Sequence, residues 1–372
     1  MSWRDCSLGD AMTLKRGHDL PNAKRNEGDV PVVSSSGITG YHNESKASAP
    51  GVVTGRYGTL GEVFYVEKDY WPLNTALYVT DFKGNNPRFV SYFLRSILRN
   101  YQSDKAAVPG VNRNVLHKIP VRLPDGGIQK QIVGVLSAYD DFIENNRRRI
   151  QLLEQATRLL YKEWFVHLRF PGHEHIKIKD GVPVGWEKKA LSELCSDIRE
   201  PVNPKDVAPE TAYIGLEHIP RRSITLDSWG VASEVSSGKS RFSEGDILFG
   251  KIRPYFHKVG FALVDGIASS DAIVIRPIDA KQYHYVLFLV SSDEFVALAS
   301  QTVREGSKMP RADWKYLLKS GFKIPPKSLL KLFEETVAPI CDQLKTLAIN
   351  NRKLSSARDL LLPRLMNGEL IA

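Results

Sequence analysis

At 372 residues the chain is long enough for two or more domains with ample cores, and 51 Lys+Arg against 42 Asp+Glu leave a formal charge of +9. That balance favours a polyanionic partner. Three scattered cysteines, Cys6, Cys195 and Cys341, supply neither a disulfide framework nor zinc-ligand spacing, so a reducing cytoplasm fits best. The start, Met1-Ser-Trp-Arg-Asp-Cys, lacks an apolar export core, and no run of about 18 apolar residues follows, which argues against export and membrane insertion.

Residues 1–125 read as short strands and turns. Val30–Val33, Gly51–Thr54, Glu62–Val66 and Ala76–Thr80 are β-branched or aromatic runs between Gly, Pro and Asn. One helix is expected over Pro87–Leu98, where Phe89, Tyr92, Phe93 and Ile97 share a face. A long helix follows over 126–168. Within it Ile132, Leu136, Tyr139, Ile143, Asn146, Ile150, Leu153, Thr157, Leu160 and Trp164 step by four and three in strict alternation, the seam of a helix packed along its length on another helix. Such a helix spans about 60 Å. Pro171-Gly172, Pro183 and Gly185 then mark a linker, and a second mixed segment runs to about 325. Pro325-Pro326 introduce a second long helix, with Gly368 as its stop signal.

The second helix repeats the ladder of the first. Phe333, Val337, Ile340, Leu344, Leu347, Asn351, Leu354, Arg358, Leu361 and Leu365 each lie 201 residues after their counterparts. Other pairs recur in the same order. Trp3 with Leu8 matches Trp186 with Leu191; Gly51-Val-Val-Thr-Gly-Arg matches Asp246-Ile-Leu-Phe-Gly-Lys. Asn74-Thr-Ala-Leu-Tyr-Val matches Ser270-Asp-Ala-Ile-Val-Ile, Tyr92-Phe-Leu matches Leu287-Phe-Leu, and Val121-Arg-Leu-Pro matches Phe322-Lys-Ile-Pro. The chain is read as two copies of one unit, a mixed α/β (α+β) domain followed by a long helix.

Val33-Ser-Ser-Ser-Gly-Ile-Thr-Gly-Tyr-His-Asn, Val108-Pro-Gly-Val-Asn-Arg and Tyr213-Ile-Gly-Leu-Glu-His-Ile extend the pattern. So do Gly245-Asp-Ile-Leu-Phe-Gly-Lys-Ile-Arg-Pro-Tyr and Arg358-Asp-Leu-Leu-Leu-Pro-Arg-Leu-Met-Asn-Gly-Glu. With the doubled layout, the chain resembles the specificity subunit of type I restriction–modification systems over essentially its whole length. The resemblance implies a target recognition domain at 1–125, a central helical region at 126–168, a second recognition domain at 169–325 and a C-terminal helical region at 326–372. It also implies an asymmetric target of two short sequences separated by unread base pairs.

Duplication further implies that the helices form an antiparallel intrachain coiled coil about a pseudo-two-fold axis. Antiparallel pairing sets Asn146 opposite Asn351, a polar layer that fixes register. It also sets Arg358 beside Tyr139, where a cation–π contact can form. The rival readings are solvated asparagines where the coil splays, and a plain dimerisation coil.

For double-stranded DNA, the candidate contacts in the first domain are Lys24, Arg25, Arg56, Tyr57, Lys105, Asn112 and Arg113. In the second they are Arg221, Arg222, Lys239, Arg241, Lys251, Arg253, Arg304, Lys308 and Arg311. Arg and Lys suit phosphates and guanine; Asn suits adenine. The rival for any one of them is a solvated surface charge. Arg56 with Lys251, and the loops Val108–Asn114 and Arg304–Arg311, stand out because they recur in both halves.

No catalytic or metal-binding residue is assigned. Glycine-rich cofactor loops, phosphate loops and HExxH are absent, Asn85-Asn-Pro-Arg is not a methyltransferase motif, and His173-Glu-His175 offers too few ligands for a metal. The resemblance agrees. It places S-adenosylmethionine-dependent methylation in modification subunits, two of which would dock here, and ATP- and Mg-dependent translocation and cleavage in a restriction subunit. The alternatives are an unrecognised DNA methyltransferase or nuclease, and a structural adaptor.

Overall fold

The strand Trp3–Ser7 pairs antiparallel with Pro120–Pro124, and Glu187–Ala190 pairs in the same way with Gly321–Ile324. These ribbons open and close two matching α/β arrangements. The computed structural model describes residues 2–56, 61–99, 111–303, 306 and 308–370. The chain divides into one unit of Met1–Phe142 with Leu354–Ala372, and another of Ile143–Lys353.

In the first unit a sheet runs in the order Thr13–Arg16, Ala76–Asp81, Gly51–Gly55, Val63–Val66, beside a smaller sheet of Gly37–His42, Val30–Ser34 and Trp71–Pro72. The central strand Gly51–Gly55 is buried throughout, and its one polar side chain, Thr54, donates to the Glu62 carbonyl at 2.8 Å. The helix Pro87–Arg99 lays Phe89, Val90, Phe93 and Leu94 onto this core. The second unit repeats the topology. Cys195–Ile198, Ala272–Pro277, Ile247–Gly250 and Val259–Ala262 form the equivalent sheet, extended by Thr225–Leu226. The parallel pairing of Val30–Ser34 with Trp71–Pro72 recurs as that of Ala212–Ile214 with Gly266–Ser269.

Two long helices, Gly126–Tyr161 and Lys327–Met366, contribute to both units. In the first unit Ile132 and Leu136 share a core with Leu362 and Leu365. In the second, the Trp164 and Phe333 rings are 5.8 Å apart, and Asn146 Nδ2 donates to Asn351 Oδ1 at 3.0 Å. Within each unit, rising numbers on one helix meet falling numbers on the other, which makes the pairing antiparallel. Asn351 is only 6% exposed, and its Nδ2 also donates to the Ile143 carbonyl at 3.3 Å. Both amides are therefore engaged inside an apolar seam. Replacing both with leucine is expected to raise the denaturation midpoint while admitting competing registers, because a buried polar pair gives up stability for uniqueness. A double variant less stable than the parent would refute that role; denaturation with disulfide trapping of register measures it.

Two expectations need adjustment. The first long helix was expected to run to 168. Its α segment ends at Tyr161 and a π turn follows over Lys162–Val166. Trp164 and Phe165 are adjacent, yet both are 8% exposed; the wider turn lets neighbouring rings enter one core. Arg358 does not use the Tyr139 ring. Its Nη1 donates to Asp140 at 2.6 Å, and Nε and Nη2 donate to Asp359 at 2.9 and 2.8 Å. Asp140 also accepts the Tyr92 hydroxyl at 2.5 Å, and burial followed by this carboxylate pushes the Tyr92 phenol pKa up. A carboxylate one residue off the seam outcompetes the ring because full charges attract more strongly than a quadrupole. The second helix ends at Met366, with Gly368 at φ +79° completing the stop. Among the described residues, no helix is long and apolar enough to cross a membrane.

Candidate nucleic-acid interface

The central strand of each main sheet ends on a glycine followed by a basic residue, and the backbone there is held identically in both units. Arg56 N–H donates to the Thr75 carbonyl at 2.9 Å, and its own carbonyl accepts from Val111 N–H at 2.8 Å. Lys251 N–H donates to Asp271 at 3.0 Å, and its carbonyl accepts from Ala312 N–H at 2.9 Å. Val111 and Ala312 are again 201 residues apart. The next residues, Asn112 and Asp313, cap the short helices Arg113–Leu116 and Trp314–Lys319 by accepting from backbone N–H groups. A basic residue thus stands at a sheet end, between a turn and a returning loop, twice; the Lys251 Nζ also donates to the Ser270 carbonyl at 2.6 Å.

In the second unit this position opens onto a larger basic group. Arg221 and Arg253 both lie against the Phe256 ring, at 4.0 and 5.9 Å from its centroid. Arg253 and His257 flank the turn Pro254–Phe256 with φ of +49° and +54°, and Arg222 has φ +57°. A non-glycine residue in that region costs about 1–3 kcal/mol, and such strain gathers at binding sites. The strained backbone is tied down on all sides: Arg253 N–H donates to Pro310 O, and Arg222 N–H to His257 O. Asp271 lies 3.9 Å from Lys251 Nζ and 3.3 Å from Arg311 Nη2, holding two cations side by side. Tyr255, whose ring meets Phe256 at 5.0 Å, is 55% exposed, and Met309 52%. Guanidinium groups, a lysine and exposed aromatic surface suit a phosphate backbone with its bases.

The His257 imidazole lies below this surface. Its Nε2 is 2.8 Å from the Ser291 carbonyl, so the proton is assigned to that nitrogen. Burial, then the Arg158 and Arg222 charges, hold its pKa below the usual value. Burial first, and neighbouring cations second, also lower His18 and His117. These imidazoles favour the neutral form in the fold, so their contribution is present above the unfolded pKa of about 6.5 and is lost as pH falls through it. The urea midpoint is expected to drop between pH 7.5 and 5.5; an unchanged or higher midpoint at 5.5 would contradict this.

The other sequence candidates divide by environment. Arg222 is drawn to Asp293 at 2.9 Å, and Lys308 is exposed, with its carbonyl accepting from Arg253 Nη2 at 3.4 Å. Arg241 is exposed on the strand Lys239–Phe242 of the second sheet. Lys239 departs from its expected surface role. It is 6% exposed, its Nζ donates to Ser237 O and Oγ at 2.6 Å, and it sits 5.4 Å from the Tyr213 ring centroid. Its charge is spent on internal partners. In the first unit Lys24, Asn112 and Arg113 are exposed. Arg25 folds back so that Nη1 donates to Thr39 O at 3.2 Å, against the glycine at position 40. Tyr57, Lys105 and Arg304 lie outside the described residues, as do 108–110, 305 and 307 of the two recurring loops. Phe256, Tyr255 and Asp271 were not foreseen. The aromatics in Arg253-Pro-Tyr-Phe-His were a usable signal, because interleaved cations and rings mark single-strand and base-stacking surfaces. Among the described residues no cluster of three or more His, Cys, Asp or Glu is placed to hold a metal ion.

The family model "Type I restriction modification DNA specificity domain" matches residues 2–155. Residues 2–155 are thus similar to a type I DNA specificity domain. The chain is 24% identical over 290 residues to the MjaIX specificity subunit of Methanocaldococcus jannaschii, an alignment spanning 72% of this chain and 64% of that relative's length. It is 22% identical over 354 residues to the EcoDI specificity subunit of Escherichia coli, spanning 88% and 78%. The crystal structure of the type I S subunit from M. genitalium superposes with a TM-score of 0.61 at 14% identity, covering 98% of this chain and 96% of that one, a likeness of fold.

Proposed function

We propose that this chain is a non-catalytic type I specificity subunit that reads a bipartite, asymmetric double-stranded DNA target, one half with each α/β unit. The observation that carries the reading is the repeated clamp on Arg56 and Lys251. Two units with one architecture each present a basic residue at the same sheet end, and different loops surround each. Different loops read different bases, so the two half-sites differ. The long helices, 36 and 40 residues or about 54 and 60 Å, serve as the spacer that makes the gap between half-sites a property of protein shape. Their outward faces dock modification subunits, two per chain, and a restriction/translocase subunit joins through them. S-adenosylmethionine, ATP and Mg act in those partners, in the cytoplasm.

Selection from a random DNA library by the chain co-purified with its modification subunit tests the proposal. The expected product is two short fixed segments separated by a constant stretch of free sequence. Enrichment of one continuous motif, or of none, would leave an adaptor as the better reading.

A further inference from the structure

The first long helix does more in the second unit than supply the seam. Glu154 is 5% exposed, and its Oε1 collects hydrogen bonds from three consecutive residues. Ser223 Oγ donates at 2.8 Å, Ile224 N–H at 3.1 Å, Thr225 N–H at 3.0 Å and Thr225 Oγ1 at 2.7 Å. One turn further on, Arg158 Nη2 donates to the Arg222 carbonyl at 3.3 Å and Nη1 to the Ser291 carbonyl at 3.2 Å. The Ser291 carbonyl is also the partner of His257 Nε2. Two side chains on one helical face therefore hold the segment 222–225 and, through Ser291, the turn 253–257. These are the segments that place Arg221 and Arg253 against Phe256.

A carboxylate is buried at such a site only when donors replace its water. Here every donor to it belongs to the segment that follows Arg221 and Arg222. Coil packing does not require the arrangement, since the duplicated positions 201 residues on are Ser355 and Asp359, which provide neither the long carboxylate nor the guanidinium. We infer that Glu154 and Arg158 are positioning residues that fix the geometry of the Arg221–Arg253–Phe256 surface, and so set the fidelity with which one half of the target is read. The inference rests on the proposed reading of DNA by the two units.

The test uses the complex with its modification subunit and the split motif obtained from library selection. Failure of the unaltered complex to yield a split motif would remove the functional reading itself. Given the motif, affinities for all single-base substitutions are compared for the parent, E154A, E154Q, R158Q and R253Q. E154A and R158Q are each expected to lower discrimination in one half at least tenfold and leave the other half within twofold. The affected half should be the one R253Q affects. E154Q, which keeps an oxygen acceptor for the same donors, should stay within about threefold of the parent. If E154A fails to assemble, R158Q decides alone, because it leaves every Glu154 bond in place. Equal losses in both halves, no loss in either, or a loss in the half that R253Q does not touch would overturn the inference.

Discussion

Replacing Phe333 with alanine is expected to destabilise the chain by about 3–5 kcal/mol, the usual cost of removing a fully buried aromatic ring from a core that cannot collapse around the void. Phe333 is fully buried on the second long helix. Its ring meets Phe165 at 4.8 Å, Trp164 at 5.8 Å, Phe288 at 6.2 Å and Tyr161 at 6.3 Å between centroids. Three of these neighbours belong to the end of the first long helix and its π turn, and Phe288 to the helix Tyr283–Val290. One side chain thus joins both long helices to the second unit's core, and large rings on several elements leave little freedom to fill the space. Urea denaturation followed by tryptophan fluorescence measures the loss. Leu360→Ala, at a position 72% exposed, is the control and should stay within about 0.5 kcal/mol of the parent. A loss below about 1 kcal/mol for Phe333→Ala would mean that the aromatic cluster repacks and does not hold the helices to the unit.

The double variant Arg221→Ala/Arg253→Ala is expected to weaken target binding by at least a hundredfold with little change in stability. A well-placed guanidinium contact is worth about 1–3 kcal/mol, roughly tenfold or more for each side chain. Both side chains are exposed. Alanine tolerates φ +49° at position 253 no worse than arginine does, so the strain there is unchanged. Salt titration separates two modes of contact. A side chain on a phosphate should reduce the slope of log K against log salt by about one and weaken all sequences alike, whereas one on a base edge should relax selectivity at one position. Less than threefold weakening would exclude the Phe256 surface from the interface.

Much of this arrangement was written in the chain as spacing. The constant displacement of 201 residues joins the helical ladders, the Val121 and Phe322 strands, and the Val111 and Ala312 returns. A spacing conserved within one chain is a statement about repeated geometry, so the doubled topology was legible; Arg56 and Lys251, which are not at that spacing, were legible because each follows a strand that ends on glycine. Seam contacts were legible for the same reason: heptad position decides which residues can face one another. Contacts one step off the seam were not. Asp140 is outside the ladder, yet it takes Arg358 from Tyr139. Lys239 shows the limit of composition, since its sequence context does not reveal that Ser237 and Tyr213 would enclose its amine. The Arg221–Phe256–Arg253 group was hidden because three left-handed residues turn separate segments toward each other, and nothing in those residues' side chains encodes a positive φ. Glu154 and Arg158 were hidden more simply: on a helical wheel they are polar residues beside a seam, indistinguishable from solvated ones until the loop they hold is in place.

The measurement that bears most directly on the central claim is a genome-wide map of methylated adenines, by single-molecule sequencing, in cells that express this chain with its modification subunit and in cells from which only this chain is deleted. The account predicts one split, asymmetric motif that is methylated in the first strain and unmethylated in the second. A methylation pattern unchanged by the deletion would contradict it.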